Sequence, residues 1–309
     1  MRVVALAGGS GGAMLAAGLQ DVVGAELTVI ANSGDDVEAL GVHVSPDPDL
    51  CTFWLSGEID SERGWGIRGD SFTVFERLKA LGAPDWFGLS DRDLAGCLER
   101  RRRLDAGERP TAITASLARA LGVRATVLPM CDAPVRTRIR TAAGWRSFQE
   151  YFVRERAEPE VEEVDLAGIG AAEPSPEALA ALAAAEAIVI GPSNPVISIG
   201  PILAVPGMRE AIAGAAAPVV AVSPFVAGAV VKGPTERLMR STGLEPTAAG
   251  VATAYAGLID GLVVDAADPE EGPARPGLSV TRFDTLMADA EARRRIAAAT
   301  LDFARTLRG

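Results

Sequence analysis

The chain is predicted to fold as an α/β protein, a three-layer, Rossmann-like, mostly parallel sheet with an inserted helical subdomain, on three observations. Short β-branched runs recur along the 309 residues, each followed by a turn cluster and usually by a helical pattern. That order is the signature of a parallel sheet with helices on both faces. The 33 glycines and 20 prolines concentrate where those runs end, so loops at strand ends absorb them. Residues 57–121 depart from the pattern: they are more charged, carry Trp65 and Trp86, and read as successive helices.

In order, Val3–Ala7 leads into GGSGG and a helix from near Ala13, and Leu27–Ala31 into NSGDD. Ala125–Met130 leads into CDAP, Ala187–Ile190 into GPSNP, Val219–Val222 into SPFVAG, and Leu262–Asp265 into an acidic loop over Asp265–Pro276. Inside the insertion the spacing predicts helices over Ser71–Leu81 and Asp91–Leu104. Alternation over Arg138–Val153 around Ala143 and Gly144 predicts a hairpin, and Thr285–Arg308 an amphipathic helix or two. The expected division is a core of residues 1–56 and 122–309, with 57–121 inserted over the site. Ligands of such sheets sit at the carboxyl ends of the strands.

Composition excludes several classes. A net charge of −11 with one histidine argues against a nucleic-acid groove, and the only dense basic run, Arg100–Arg103 in LERRRRLD, reads as a solvated helix face. Two uncharged stretches, Ala187–Met208 and Ala211–Val231, are interrupted by prolines and glycines that would leave backbone groups unpaired in lipid, so no membrane association is expected. VVALAGG near the N-terminus is too short an apolar run for a signal peptide. Cys51, Cys97 and Cys131 show neither a disulfide framework nor zinc-ligand spacing, and a cytoplasmic location is expected.

Three segments carry chemistry. Gly8–Gly12 between a strand and a helix is a backbone cradle for a phosphate, although it lacks the Lys-Ser/Thr of a P-loop and the third glycine of G-x-G-x-x-G. A tight turn with no ligand uses the same glycines. Asn32–Leu50 concentrates Asp35, Asp36, Glu38, Asp47 and Asp49. Alternation along an extended Asp47-Pro48-Asp49 puts two carboxylates on one side, the pairing Mg²⁺ needs when it also bridges substrate phosphates; an acidic surface turn is the plainer reading. His43 is expected to pack or to bond the backbone. GPSNPVISIGPI offers Ser193, Asn194 and Ser198 as neutral donors and acceptors in a proline-stiffened loop, and SPFVAGAVVKGP adds one cation, Lys232, for a phosphate.

Taken together, AGGSGG, NSGDD, GVHVSPDPDL, RGWGIRGDSF, LSDRDLA, LPMCDAPVRTRI, FQEYFV, GPSNPVISIGPILAVPGMR and KGPTERLM resemble, in this order, the CofD-like 2-phospho-L-lactate transferases, also called phosphoenolpyruvate transferases, of deazaflavin coenzyme F-420 biosynthesis. The resemblance implies transfer of a phosphorylated three-carbon acid from its guanosine diphosphate ester to the ribityl hydroxyl of the deazaflavin Fo, with release of GMP. Carried over residue by residue, it puts Asp49 on Fo or its metal with Asp47 beside it, so both stand as catalytic and Mg²⁺-binding candidates. It puts Gly9, Ser10, Gly11, Gly12 and Asn32 around the phosphates, and Ser193, Asn194 and Ser198 on the guanosine. Gly88 aligns with a flavin-contacting position that is often lysine, so only a backbone contact carries over. Trp65 and Trp86 are candidates to stack on the flavin or to pack in the core, and Arg68, Asp91 and Arg92 to close over the ligands or to form an ion-pair network. Pro48 and Leu50 depart from the family's usual leucine and threonine but keep both carboxylates. A homodimer is implied. A nucleotide-sugar or phosphate-handling α/β enzyme and a non-catalytic guanine-nucleotide-binding regulator are the alternatives.

Overall fold

The structure, a computed structural model, describes residues 1–307. The chain runs β1 (Val3–Ala7), α1 (Gly9–Val23), β2 (Leu27–Ala31), a small hairpin of β3 (Val37–Ala39) and β4 (Val42–Val44), and α2 (Pro46–Ser56). Residues 57–121, the segment expected to be an insertion and called so throughout, hold α3 (Thr73–Ala80), α4 (Asp91–Asp105) and α5 (Pro110–Ala120). Then follow β5 (Thr126–Pro129), β6 (Arg136–Thr141), β7 (Gly144–Ser147), a π-helical turn (Glu150–Arg154), β8 (Glu163–Ala167), α6 (Pro176–Ala184) and β9 (Ala187–Ile190). The last third comprises α7 (Gly200–Ala204), α8 (Met208–Ala213), β10 (Val219–Val222), the short pair β11 (Phe225–Val226) and β12 (Ala229–Val230), α9 (Thr235–Ser241), α10 (Ala248–Ala254), β13 (Gly261–Asp265), β14 (Ser279–Phe283) and α11 (Ala290–Thr306).

Seven strands form one sheet in the order β14-β13-β10-β9-β1-β2-β5, with every neighbouring pair parallel. β1, β9, β10 and β13 are buried at every position, which is why they read as apolar runs, unbroken or nearly so, rather than as alternation. One face packs on α1, α2 and α11 through Leu15, Leu19, Leu55, Ile296 and Leu301. The other packs on α6, α8 and α10 through Leu182, Met208, Ile212 and Val251. These are the two outer layers of the predicted three.

The short strands β3, β4, β11 and β12 were not expected from the sequence, and neither were the two longer strands β8 and β14. β14 is a half-exposed edge strand containing Arg282, and β8 is an acidic, half-exposed strand paired with β6. Neither buries a full face, so neither shows a clean period. The predicted hairpin forms, with Thr141 opposite Gly144, so the turn lies at Ala142 and Ala143. Its second strand stops at Ser147, and the chain then enters the π-helical turn instead of continuing to Val153. α11 spans one helix; Arg308, at the end of the predicted helix, lies outside the described residues.

The insertion is organised by reciprocal capping. Asp91 accepts from Ser71 Oγ at 2.6 Å and from the Thr73 and Val74 N–H groups at 3.2 and 3.0 Å, which caps α3. Asp70 accepts from the Arg92 and Asp93 N–H groups, which caps α4. α4 then packs Leu94 and Cys97 onto Val42, Val44 and Leu89, while α5 places Ala118 in the apolar cluster of the central sheet.

Candidate active site

β2 lies on one side of β1 and β9 on the other, so the loops after β1 and β9 part above the sheet. This is the switch point at which open α/β sheets form a crevice. Here it is a cavity of about 540 Å³, walled by the loops after β1, β2, β9 and β10, by α2, and by residues of the insertion.

The glycine run makes the close packing of this floor possible. α1 begins at Gly9 rather than near Ala13. A Cβ on Gly11 would lie 2.1 Å from the Pro192 carbonyl oxygen, one on Gly12 2.5 Å from Ser193 Oγ, and one on Gly8 2.8 Å from Asp47 Oδ2. Glycine alone therefore lets the first turn of α1 press against the loop after β9 and against α2. The Gly9 N–H, at the positive end of α1, donates to Asp47 Oδ1 at 2.8 Å, so a protein carboxylate already takes the first donor expected to face phosphate. Gly9, Ser10 and Gly11 line the cavity; Gly12 does not.

The acidic segment is arranged otherwise than an extended Asp-Pro-Asp would place it. Pro46 starts α2, so Asp47 and Asp49 sit in the first turn of a helix. Residues two apart on a helix point about 200° from one another, and the two carboxylates take different partners. Asp47 accepts from Gly9 and from Asn32 Nδ2 (2.9 Å). Asp49 pairs with Arg100 of α4. Arg100 is thus no part of a solvated face. It lies 4% exposed, on the α4 side that also carries Asp93 and Cys97 at helical spacing, and it also donates to the His43 carbonyl at 3.3 Å. Arg101, Arg102 and Arg103 do meet surface carboxylates, on Asp105, Glu99 and Glu108.

What stands beside Asp47 is Asp35, which the sequence reading did not single out as a ligand. Burial, then the charge of Asp47, push the Asp35 carboxyl well above the usual range, and its buried Oδ1 has no hydrogen-bond partner. Burial raises Asp47 to about 6 despite its two donors. Burial and the Asp49 charge raise Asp93 to about 7, and burial raises Asp49 while Arg100 opposes the rise. Asp35, Asp47, Asp49 and Asp93 all line the cavity. Asp36 instead holds Ser45 Oγ (2.7 Å) and His43 Nε2 (2.9 Å), and Glu38 holds His43 Nδ1 (2.9 Å), so the histidine bridges two carboxylates through its ring.

The other expected residues divide into cavity wall and scaffold. Trp65, Gly88, Ser193, Asn194, Ser198 and Lys232 line the cavity. Trp65 is 44% exposed, edge-on to Phe72 and covered by the Arg63 guanidinium, whereas Trp86 packs on Phe87 outside the lining. Ser193 Oγ is buried without a partner. Asn194 accepts from the Val196 N–H at 2.8 Å and so also shapes its own turn. Lys232 forms no ion pair among the described residues, and its Nζ lies 2.8 Å from where a Cβ of Gly64, also in the lining, would stand. Asn32, Asp91 and Arg92 are outside the lining. Asn32 donates to Asp47 and to the Ile197 carbonyl and accepts from the Gly34 N–H, which joins the loop after β2 to α2 and to the loop after β9. Asp91 and Arg92 belong to the capping network, with Arg92 Nη2 donating to the Arg68 carbonyl at 2.7 Å. Residues missed by the sequence reading are Asp35, Asp93, Arg100, Phe87, Phe148, Gln149, Phe152 and Thr235. For Asp93 and Arg100 a signal existed: with Cys97 they repeat at four and three residues along one helix face.

A doubly wound parallel sheet with a polar floor and apolar walls at its switch point defines an α/β enzyme acting on small molecules. The model of the family described as 2-phospho-L-lactate transferase CofD matches residues 3–299. The chain is 42% identical to a phosphoenolpyruvate transferase of Kitasatospora aureofaciens, covering 100% of this chain and 99% of the relative, and 40% identical to a 2-phospho-L-lactate transferase of Methanosarcina mazei, covering 96% and 98%. The fold is shared with a crystal structure of a UPF0052 family protein from Bacillus halodurans, at TM-score 0.63 and 18% identity over 97% of this chain and 98% of that one. The chain belongs to the 2-phospho-L-lactate transferase CofD family and is a transferase. Among the described residues no helix is long and apolar enough to cross a membrane.

Proposed function

We propose that the protein moves a phosphorylated three-carbon acid (2-phospholactate, phosphoenolpyruvate or a relative) from its guanosine diphosphate ester to the terminal ribityl hydroxyl of the deazaflavin Fo, releasing GMP, in coenzyme F-420 biosynthesis. The observation that carries this reading is the cavity at the switch point, with carboxylates on its floor and aromatic rings supplied both by residues 57–121 and by the segment that follows β7. Relatives named for either three-carbon acid support the donor class. A cytoplasmic homodimer is the setting we assign; the three cysteines are free and buried.

In this reading the hydroxyl oxygen bonds to the phosphorus next to the acid, the bond from that phosphorus to the GMP oxygen breaks, and GMP leaves with the electron pair. Such chemistry depends on positioning and charge neutralisation more than on a strong nucleophile. Asp93, raised to about 7, has the proton affinity to take the hydroxyl proton. Lys232 meets the phosphates. The residues fit Mg²⁺, but not through the expected Asp47–Asp49 pair, because Asp49 already has Arg100 as counter-ion. Asp35 and Asp47 would hold it: the partnerless Oδ1 of Asp35 and the mutual repulsion of two buried carboxylates are the deficit a divalent cation fills. When bound, the ion neutralises phosphate charge as it develops.

The test is fluorescence-detected chromatography of Fo incubated with guanylylated three-carbon acids and Mg²⁺. A new phosphodiester of Fo is expected with one of them, and no product with any would refute the reading.

A further inference from the structure

We propose that Asp265, which lies outside the cavity lining, is a positioning residue that ties the loops after β10 and β14 together and through the first of them sets the place of Lys232. The inference rests on the function proposed above and concerns how the chain holds that site. In the sheet β13 runs between β10 and β14, and Asp265 is its last residue. The loop after β13 sends nothing into the lining, whereas the loops after its two neighbours supply Val226, Val231 and Lys232 on one side and Thr285 and Leu286 on the other.

The Asp265 side chain joins those two loops. Its Oδ1 accepts from the Ala227 N–H at 3.2 Å and the Ala267 N–H at 2.9 Å, and its Oδ2 accepts from the Thr285 N–H at 2.8 Å and Thr285 Oγ1 at 3.0 Å. The residue is 2% exposed. Burial acts to raise its pKa, but the N–H donors of Thr285, Ala267 and Ala227 outweigh it and hold the carboxyl below the usual range. Hydrogen bonds to an ionised acceptor are roughly twice as strong as neutral ones. The turn that carries the carboxylate is fixed in its own right, because Arg282 of β14 donates to the carbonyls of Ala266 and Asp268 at 3.1 and 2.5 Å.

The loop after β10 has little other support. Its hairpin, β11 with β12, consists of two residue pairs and turns through Ala227 and Gly228 at φ +50° and +79°. A non-glycine residue seldom adopts the first of these, and it is the Ala227 N–H that Asp265 accepts. Past the hairpin no regular element follows until α9 begins at Thr235, and Val231 in that stretch is 69% exposed. Lys232 lies in the same stretch and, among the described residues, is the one lysine or arginine of the lining. A transfer that depends on prearranged charge needs that cation held in place before phosphate charge develops.

The test is a double-mutant cycle on kcat/KM with Fo and the guanylylated acid, read where circular dichroism finds all four proteins folded. Lys232→Ala should cost at least about tenfold in the wild-type chain, the worth of a hydrogen bond to a charged group. In Asp265→Asn, where the lysine is no longer held, the same change should cost less than about threefold. Equal losses in both backgrounds, no loss from Lys232→Ala, or wild-type turnover by Asp265→Asn would overturn the positioning role and leave the transferase reading in place. If Asp265→Asn does not fold, hydrogen exchange in the wild-type chain decides. The Ala227 and Thr285 amides should then exchange at least about tenfold more slowly than that of Gly228, and equal rates would overturn the tie. A wild-type protein that makes no product from Fo would overturn the transferase reading, and this one with it.

Discussion

Arg100→Met removes the buried counter-ion of Asp49 and keeps an apolar side chain of similar length in its place. Arg100 is 4% exposed, and its guanidinium reaches both the Asp49 carboxylate and the His43 carbonyl. Without it, Asp49 remains where burial and the Asp36 charge raise its proton affinity. Stranding one member of a buried ion pair costs about 3–5 kcal/mol, against a total stability of about 5–15 kcal/mol. With an unfolding entropy of about 2.1 cal/mol/K per residue, a chain of 309 residues should melt about 5–8 °C lower. The loss has a defined pH dependence. In the variant the folded pKa of Asp49 lies above its unfolded value of about 3.9, so the deficit is absent below that value and becomes complete as pH rises through the folded one. Circular-dichroism melts of both proteins at about pH 5 and about pH 8 should show the smaller difference at the lower pH. Adding Asp49→Asn to Arg100→Met should recover most of the loss, because the pair is removed together. A deficit below about 1 kcal/mol at the higher pH, the value of an exposed pair, would refute the buried counter-ion role.

Asp35→Asn removes one of two repelling buried carboxylates, so the variant should fold within about 1 kcal/mol of wild type while Mg²⁺-dependent turnover falls at least about 100-fold; a well-folded variant that still turns over would take Asp35 out of the metal site. Gly11→Ala sets a Cβ 2.1 Å from the Pro192 carbonyl oxygen, and overpacking of this kind destabilises by about 1–3 kcal/mol. An unchanged urea midpoint would contradict that contact. For His43, burial acts to lower the pKa but Asp36 and Glu38 outweigh it, so the folded value is raised. Its contribution is full below the unfolded value of about 6.5 and is lost as pH rises through the folded one. The stability gap between wild type and His43→Gln should therefore narrow on going alkaline, and a gap constant with pH would exclude the charged bridge.

Much of the framework was legible in the chain because it rests on local signals. β1, β9 and β10 are unbroken apolar runs and β2 and β13 nearly so, each followed by a turn cluster, and a strand buried on both faces reads that way. β8 and β14 were not legible, since a half-exposed edge strand carries charge and its identity comes from its neighbour. The site divides along the same line. The loop residues Ser193, Asn194, Ser198 and Lys232 lie where strand ends put them, whereas the Asp47–Asp49 pair dissolved once Pro46 began a helix and turned the two side chains apart.

By itself the sequence determined the α/β class, the loops that gather at the strand ends and the order of motifs that places the chain in its family, because apolar period, turn chemistry and motif order are properties of neighbouring residues. Only the tertiary structure decided which charges meet. Asp49 and Arg100 are 51 residues apart in the chain, the charge of Asp47 on α2 reaches Asp35 of the loop after β2, and Gly11 and Gly12 show their use only against Pro192 and Ser193. Coulomb energy, burial and steric fit depend on distance through space, which the spacing of letters does not contain.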